Sequence, residues 1–160
     1  MEIRLATPSE HATVGDLTVA VYVGGGFIAP EADYVHQLRD TAARARESEV
    51  WVAVEDGELL GAVTNCPEGS GHREIAKEGE GEFRMLAVAE AARGRGVGES
   101  LVRHCLERSK AAGDHGMALS TMAQMTDAHR VYTRLGFSRV PEQDWSPVSG
   151  VCLLAFRLAY

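Results

Sequence analysis

No apolar run in these 160 residues is long enough to span a bilayer. No membrane association is therefore expected. Cysteine is scarce: Cys66, Cys105 and Cys152 are odd in number and far apart, matching neither a disulfide framework nor a metal-ligand pattern. That usage fits a reducing, cytoplasmic compartment. The six histidines show no metal-ligand spacing, so no metal is expected. The chain also lacks a positive excess. Its net charge of -7 argues against nucleic acid as a partner. Repeats, low-complexity tracts and linkers are absent, and the length suits a single domain over residues 1–160. Met1-Glu2-Ile3-Arg4 leads straight into a strand pattern with no signal-peptide core before it.

What the chain does contain is an apolar fraction of 45%, ordinary for a protein with a real core, and one unusual loop. The strand-like run Met85 to Ala89 is followed by Arg93-Gly94-Arg95-Gly96-Val97-Gly98-Glu99, which opens into an amphipathic helix. The first amides of a helix have no intrahelical partner and carry partial positive charge. Glycines let the backbone turn sharply and approach a ligand closely, and arginines add planar, charged donors. The combination suits a phosphate-bearing ligand. A dinucleotide fingerprint would need a sixth-position glycine where Glu99 stands, and a nucleoside-triphosphate loop would need Gly-Lys-Ser/Thr, which is missing. A plain surface turn uses the same residue types.

Around this loop the pattern is strand (Ile3, Leu5), helix from Thr7-Pro8-Ser9-Glu10 to about Val21, a break at Gly24-Gly25-Gly26, and a second helical stripe from Tyr34 through Leu38 to Ala45. Val50–Val54 and Leu59–Val63 flank Asp56-Gly57 as a hairpin. Residues 65–81 read as a Gly- and Glu-rich loop, and Phe83–Val88 as a strand. Gly96–Ala112 forms a helix with Val97, Leu101, Val102, Cys105 and Leu106 on one face. Met117–Thr121 is a strand, Asp127–Leu135 a short helix closed by Gly136 and Phe137, and Val151–Leu158 the last strand. The pattern is that of a single α+β or α/β domain, of mixed strand order.

Arg93-x-x-Gly96-x-Gly98, the element order, and the run Ala128-His129-Arg130-Val131-Tyr132-Thr133-Arg134-Leu135-Gly136-Phe137 together resemble the GNAT superfamily of N-acetyltransferases over nearly the whole chain. One departure is Thr126, where the family pattern has asparagine; threonine still offers a hydrogen-bond donor. The resemblance implies a mixed, mostly antiparallel sheet of six to seven strands with about four flanking helices. It also implies acetyl-CoA as co-substrate and direct acetyl transfer to an amine. Leu86, Ala87 and Val88 would pair with the pantetheine arm as an added strand, with the amide of Val88 or a neighbour polarising the thioester. Arg93, Gly94, Arg95, Gly96, Val97, Gly98 and Glu99 would hold the pyrophosphate, and Thr126 and Ala128 would lie near the cofactor.

The same resemblance places a general base at Glu82, eleven positions before Arg93, and a general acid at Tyr132. Each has a plainer reading: Glu82 as an exposed acidic residue continuing the loop, Tyr132 as a packing residue on its helix stripe. In a regular strand Glu82 shares a face with Leu86 and Val88, unless a bulge intervenes. Tyr22, Phe27, Tyr34 and Trp145 are candidates for an aromatic acceptor wall, with Glu78 or Glu80 meeting a cation. The expected acceptor is a small-molecule amine; a protein amine is the alternative. A non-catalytic acyl-CoA-binding module is the other class, against which the presence of both Glu82 and Tyr132 speaks. Relatives of this kind often form homodimers, but no motif here encodes one.

Overall fold

Asp56 and Gly57 both have positive φ, 51° and 80°, the backbone a tight hairpin turn needs, and they join two long strands as the sequence predicts. In the computed structural model, which describes residues 1–160, these strands are β2 (Glu49–Glu55) and β3 (Glu58–Cys66). The others are β1 (Glu2–Leu5), β4 (Glu80–Val88), β5 (Gly116–Met122), β6 (Ser138–Arg139) and β7 (Leu153–Ala159). All seven join one sheet, ordered β1-β2-β3-β4-β5-β7-β6. Every neighbouring pair is antiparallel except β4 and β5.

Strand alternation sorts the side chains between two faces. Val50 and Val52 of β2 pack with Val14 of α1 (His11–Gly24), whereas Ala53 joins the larger core beneath α4 (Val97–Ala111). The expected α4 stripe of Val97, Leu101, Val102, Cys105 and Leu106 is buried in full. On the same face lies α5 (Thr126–Arg134), whose Tyr132 sits among Phe83, Phe137 and Phe156 with ring centroids 5.8–6.1 Å apart. Gly136 takes φ 94°, and the Phe137 amide donates back to the Tyr132 carbonyl at 3.0 Å, closing α5 in the predicted left-handed turn.

One expected element is divided. The stripe from Tyr34 to Ala45 is two helices, α2 (Tyr34–Arg39) and α3 (Thr41–Glu47). Asp40 breaks the run at ψ 68° and caps α3 by accepting from the Ala43 amide at 3.0 Å. The break frees the Gln37 and Leu38 carbonyls, which accept from Arg44 Nη1 at 2.8 and 3.0 Å. Arg44 Nε also donates to Thr64 Oγ1 of β3 at 3.1 Å, so one buried guanidinium braces two helices against the sheet. The helix total is accordingly five rather than about four.

Helices α1 and α2 approach so closely that a Cβ on Gly15 would lie 2.3 Å from the Arg39 carbonyl oxygen. Backbone cannot give way as a flexible side chain does. Gly15→Ala is expected to destabilise the fold by about 1–3 kcal/mol, measured by denaturant unfolding; unchanged stability would contradict this packing.

Candidate active site

Strands β4 and β5 run side by side only from Glu80–Glu82 against Gly116–Ala118. Beyond Phe83, β4 keeps its β3 neighbour alone, and β5 keeps β7 alone. Two backbone edges therefore face each other across a widening gap. The Ala89 amide donates to Leu60 O at 2.8 Å. Amides alternate sides along an antiparallel strand, which turns the Val88 N–H away from β3 and toward the gap. Leu86 and Val88 pack their side chains against the α4-side core, and Ala87 is buried.

The gap ends at the Arg-Gly loop. Gly94 and Gly96 have φ 75° and 77°, and a Cβ built on either meets no atom within 4 Å. Left-handed backbone explains the glycines, and the empty space beside them leaves room for a ligand. Gly96 caps α4 with no side chain, and the first intrahelical bond is Ser100 N–H to Gly96 O at 3.0 Å. The amides of Val97, Gly98 and Glu99 thus have no acceptor within the helix. A Cβ on Gly98 would lie 3.4 Å from Val88 Cγ2, an ordinary van der Waals contact, so the helix start sits directly against the end of β4. A pyrophosphate and an extended amide-bearing arm fit this arrangement of orphan amides and open strand edge.

The charged side chains of the loop divide. Arg93 is exposed, whereas Arg95 pairs with Glu55, which also meets the N-terminal amine at 3.2 Å. Glu99 is held by Arg103 at 2.8 Å and by Arg134 of α5 at 3.0 Å, so its side chain links α4 to α5 while its amide remains at the helix start. Thr126 is the exposed first residue of α5, and Ala128 packs partly against the core. Tyr132 is nearly sealed, and burial drives its hydroxyl pKa well above the ordinary tyrosine value.

On the α1 and α2 side of the sheet, beside the gap, lies a cavity of about 580 Å³. Met85 has φ 54°, and the β3–β4 register shifts between Ala62 and Thr64. This is the bulge that would upset a regular alternation. Its effect is to aim consecutive residues, Arg84 and Met85, at the cavity. Arg84 Nε lies 2.9 Å from Glu74 Oε1, its Nη1 donates to His72 O at 3.0 Å, and its Nη2 donates to Tyr34 Oη at 3.2 Å. Burial raises the Glu74 carboxyl above its ordinary range, with Arg84 opposing and the charge of Glu82 reinforcing the shift. Arg73 and Thr121 also border the cavity, and Arg73 Nη1 and Thr121 Oγ1 have no hydrogen-bond partner.

Glu82 does not border this cavity. Its side chain is fully buried, and its two carboxylate oxygens accept from the amides of Glu74, Ile75 and Ala76 at 2.8–3.1 Å. The exposed-residue reading of Glu82 is thus corrected. Of the suggested aromatic wall, Tyr22 and Tyr34 line the cavity. Phe27 packs into the cluster around Tyr22, and Trp145 Nε1 donates to Ser120 Oγ at 3.0 Å. Glu80 pairs with Arg157, and Glu78 is exposed. The sequence reading missed Glu74, Arg73 and Arg84. An arginine between Phe83 and Met85, inside an otherwise apolar strand, was the signal for the last.

Acetyltransferase (GNAT) is the description of the family model that matches residues 18–137, three quarters of the chain. The chain belongs to the GNAT acetyltransferase family. Among curated proteins it is similar to the N-acetylaspartate synthetases of Rattus norvegicus and Homo sapiens, each 32% identical over 111 residues. That covers 69% of this chain but only 35% and 34% of theirs; the chain matches about a third of these relatives' length. Among solved structures, PaiA N-acetyltransferase of Thermoplasma acidophilum in complex with coenzyme A superposes with TM-score 0.76 at 15% identity, covering 99% of this chain and 98% of that one. An acetyltransferase of Salmonella typhimurium (yncA) with acetyl-CoA gives 0.71 at 20% identity, covering 99% and 93%. These likenesses show the GNAT fold. No helix is long and apolar enough to cross a membrane.

Gly96→Val places a side chain at the start of α4, where its Cβ meets no protein atom within 4 Å. It is expected to weaken coenzyme A binding at least ~10-fold while destabilising the fold by only about 1–2 kcal/mol for the left-handed backbone. Calorimetric titration and thermal unfolding check the two parts separately; unchanged affinity would refute the loop assignment.

Proposed function

We propose that this acetyltransferase acetylates the primary amine of a small metabolite that also carries a carboxylate, an amino-acid-like acceptor. One observation carries the reading: a cavity of small-ligand size, walled by Arg84, Arg73 and Glu74, opens beside the parting of β4 and β5. Guanidinium groups suit a carboxylate, and Glu74 suits an ammonium. The curated relatives are named for making N-acetylaspartate, which is in keeping with such an acceptor.

In this mechanism the Arg-Gly loop and the α4 amides hold the pyrophosphate through Arg93, Gly94, Gly96, Val97, Gly98 and Glu99. The β4 edge at Leu86, Ala87 and Val88 pairs with the pantetheine arm, and Thr126 and Ala128 at the start of α5 border it. Bound acetyl-CoA supplies the electrophilic thioester carbonyl. The Val88 N–H donates to that oxygen as negative charge develops on it. The amine nitrogen attacks the carbonyl carbon, the new C–N bond forms, and the C–S bond breaks with its electron pair on sulfur. Tyr132 gives that thiolate its proton. A hydroxyl kept neutral by burial is a donor well into the alkaline range, so its pH limit lies above that of an exposed tyrosine.

Tyr132→Phe is expected to lower kcat about 10²-fold while leaving the affinity for acetyl-CoA within about twofold, read by thiol release and by calorimetry. Wild-type turnover in the variant would remove Tyr132 from the mechanism. In an amine panel with acetyl-CoA, aspartate- and glutamate-like acceptors should outperform the matching amines without a carboxylate by about 10-fold or more, the worth of one charge-assisted contact. A preference for N-terminal peptides or lysine side chains would instead point to a protein acceptor.

A further inference from the structure

The loop between β3 and β4 owes its shape to one buried carboxylate. Three successive amides, those of Glu74, Ile75 and Ala76, converge on Glu82. Side chains outside helices and strands usually wander. Here the backbone of residue 74 is pinned through its own N–H, which bonds to both Glu82 oxygens at 3.0 and 3.1 Å. The Glu74 backbone is open to solvent, yet its side chain is only 18% exposed and borders the cavity. Arg84 holds it from β4 at 2.9 Å and is itself held by Tyr34 of α2. Glu82 is fully buried and does not border the cavity, whereas a general base has to reach the proton it removes.

We propose that Glu74 is the group that deprotonates the acceptor ammonium, and that Glu82 is a positioning residue which fixes Glu74 through the loop amides. This rests on the acetyl-transfer reading above. One N–H proton of the ammonium passes to a Glu74 carboxylate oxygen, leaving the lone pair on nitrogen. That pair forms the C–N bond as the C–S bond breaks, and the thiolate takes the Tyr132 proton. The nitrogen then loses a second proton to water, giving the neutral amide, and solvent restores Glu74 and Tyr132 to their starting states.

The charged and titratable groups facing Glu74 set its working range. Arg84 and Glu82 come from β4, Tyr34 from α2, Asp33 from the turn before it, and His72 and Arg73 from the same loop; Arg157 of β7 reaches Ile75 O at 2.8 Å. Burial and Glu82 raise the Glu74 carboxyl. Activity that requires the carboxylate should therefore fall as pH drops through a value above that of an ordinary glutamate, and the Glu82 charge should contribute to how high that value lies.

The test compares Glu74→Gln, Glu74→Asp and Glu82→Gln with wild type, using the best acceptor from the amine panel. The readouts are kcat/KM against pH, coenzyme A affinity by calorimetry, and thermal unfolding. Glu74→Gln is expected to lose about 10²–10³-fold in kcat/KM at neutral pH. Its coenzyme A affinity should be unchanged, its unfolding temperature should fall because the largely buried Arg84 loses its ion-pair partner, its acid limb should be gone, and its deficit should shrink as pH approaches the amine's own pKa. Glu74→Asp should recover part of the activity and keep the limb. Glu82→Gln should lower stability and raise the acceptor KM, but retain an acid limb shifted to lower pH. Wild-type kcat/KM in Glu74→Gln, or an acid limb lost in Glu82→Gln and kept in Glu74→Gln, would overturn the assignment while acetyl transfer stands. Failure of the wild-type enzyme to acetylate any amine would overturn the parent reading and this one together.

Discussion

The parting of β4 from β5 is the constraint on which the rest of the site depends. Unpaired backbone inside a sheet is unfavourable unless something else satisfies it. The fold leaves two such edges from Phe83 and Leu119 onward, and it places the orphan amides of α4 at the end of the same gap. Both sets of polar groups suit one extended, phosphate-bearing ligand. The α4-side core, with Leu101 and Val97 fully or nearly buried, keeps the helix start where the strand edge needs it.

The bulge at Met85 converts that strand into a two-sided device. Before it, Phe83 packs into the core under α4 and α5. At it, Arg84 and Met85 both turn toward the cavity beneath α1 and α2. After it, Leu86 and Val88 return to the core under α4. In the proposed reading one strand thereby serves the acyl donor along its edge and the acceptor along its face.

Much of this was legible in the residues. Helix α4, the Asp56-Gly57 hairpin and the Gly136 closure were visible because each follows from local rules: a 3.6-residue stripe, a positive-φ pair, a left-handed cap. The Arg-Gly loop was legible for the same reason, since spacing alone separated it from other phosphate loops. The acceptor side was not. Glu74 lies in a stretch that reads as a polar loop, and its placement at the cavity arises from Glu82 eight residues later folding under it, a contact with no sequence period. Asp40 was also missed as a helix break, because the apolar stripe continues across it; the Asp40 cap on α3 and the bonds of Arg44 to the freed carbonyls together favour two short helices over one.

The paired charges of the cavity have a consequence for how ligands arrive. An acidic chain of net charge -7 must admit an anionic co-substrate, so its long-range field repels what its site attracts. Arg84 is matched by Glu74, and Arg95 by Glu55, so of the two loop arginines Arg93 alone stands exposed without an ion-pair partner. Recognition then falls to backbone dipoles and short-range contacts that act only within the first few ångströms. Such a site gains selectivity from fit rather than from capture at a distance, and added salt, by screening the repulsion, eases the encounter rather than slowing it.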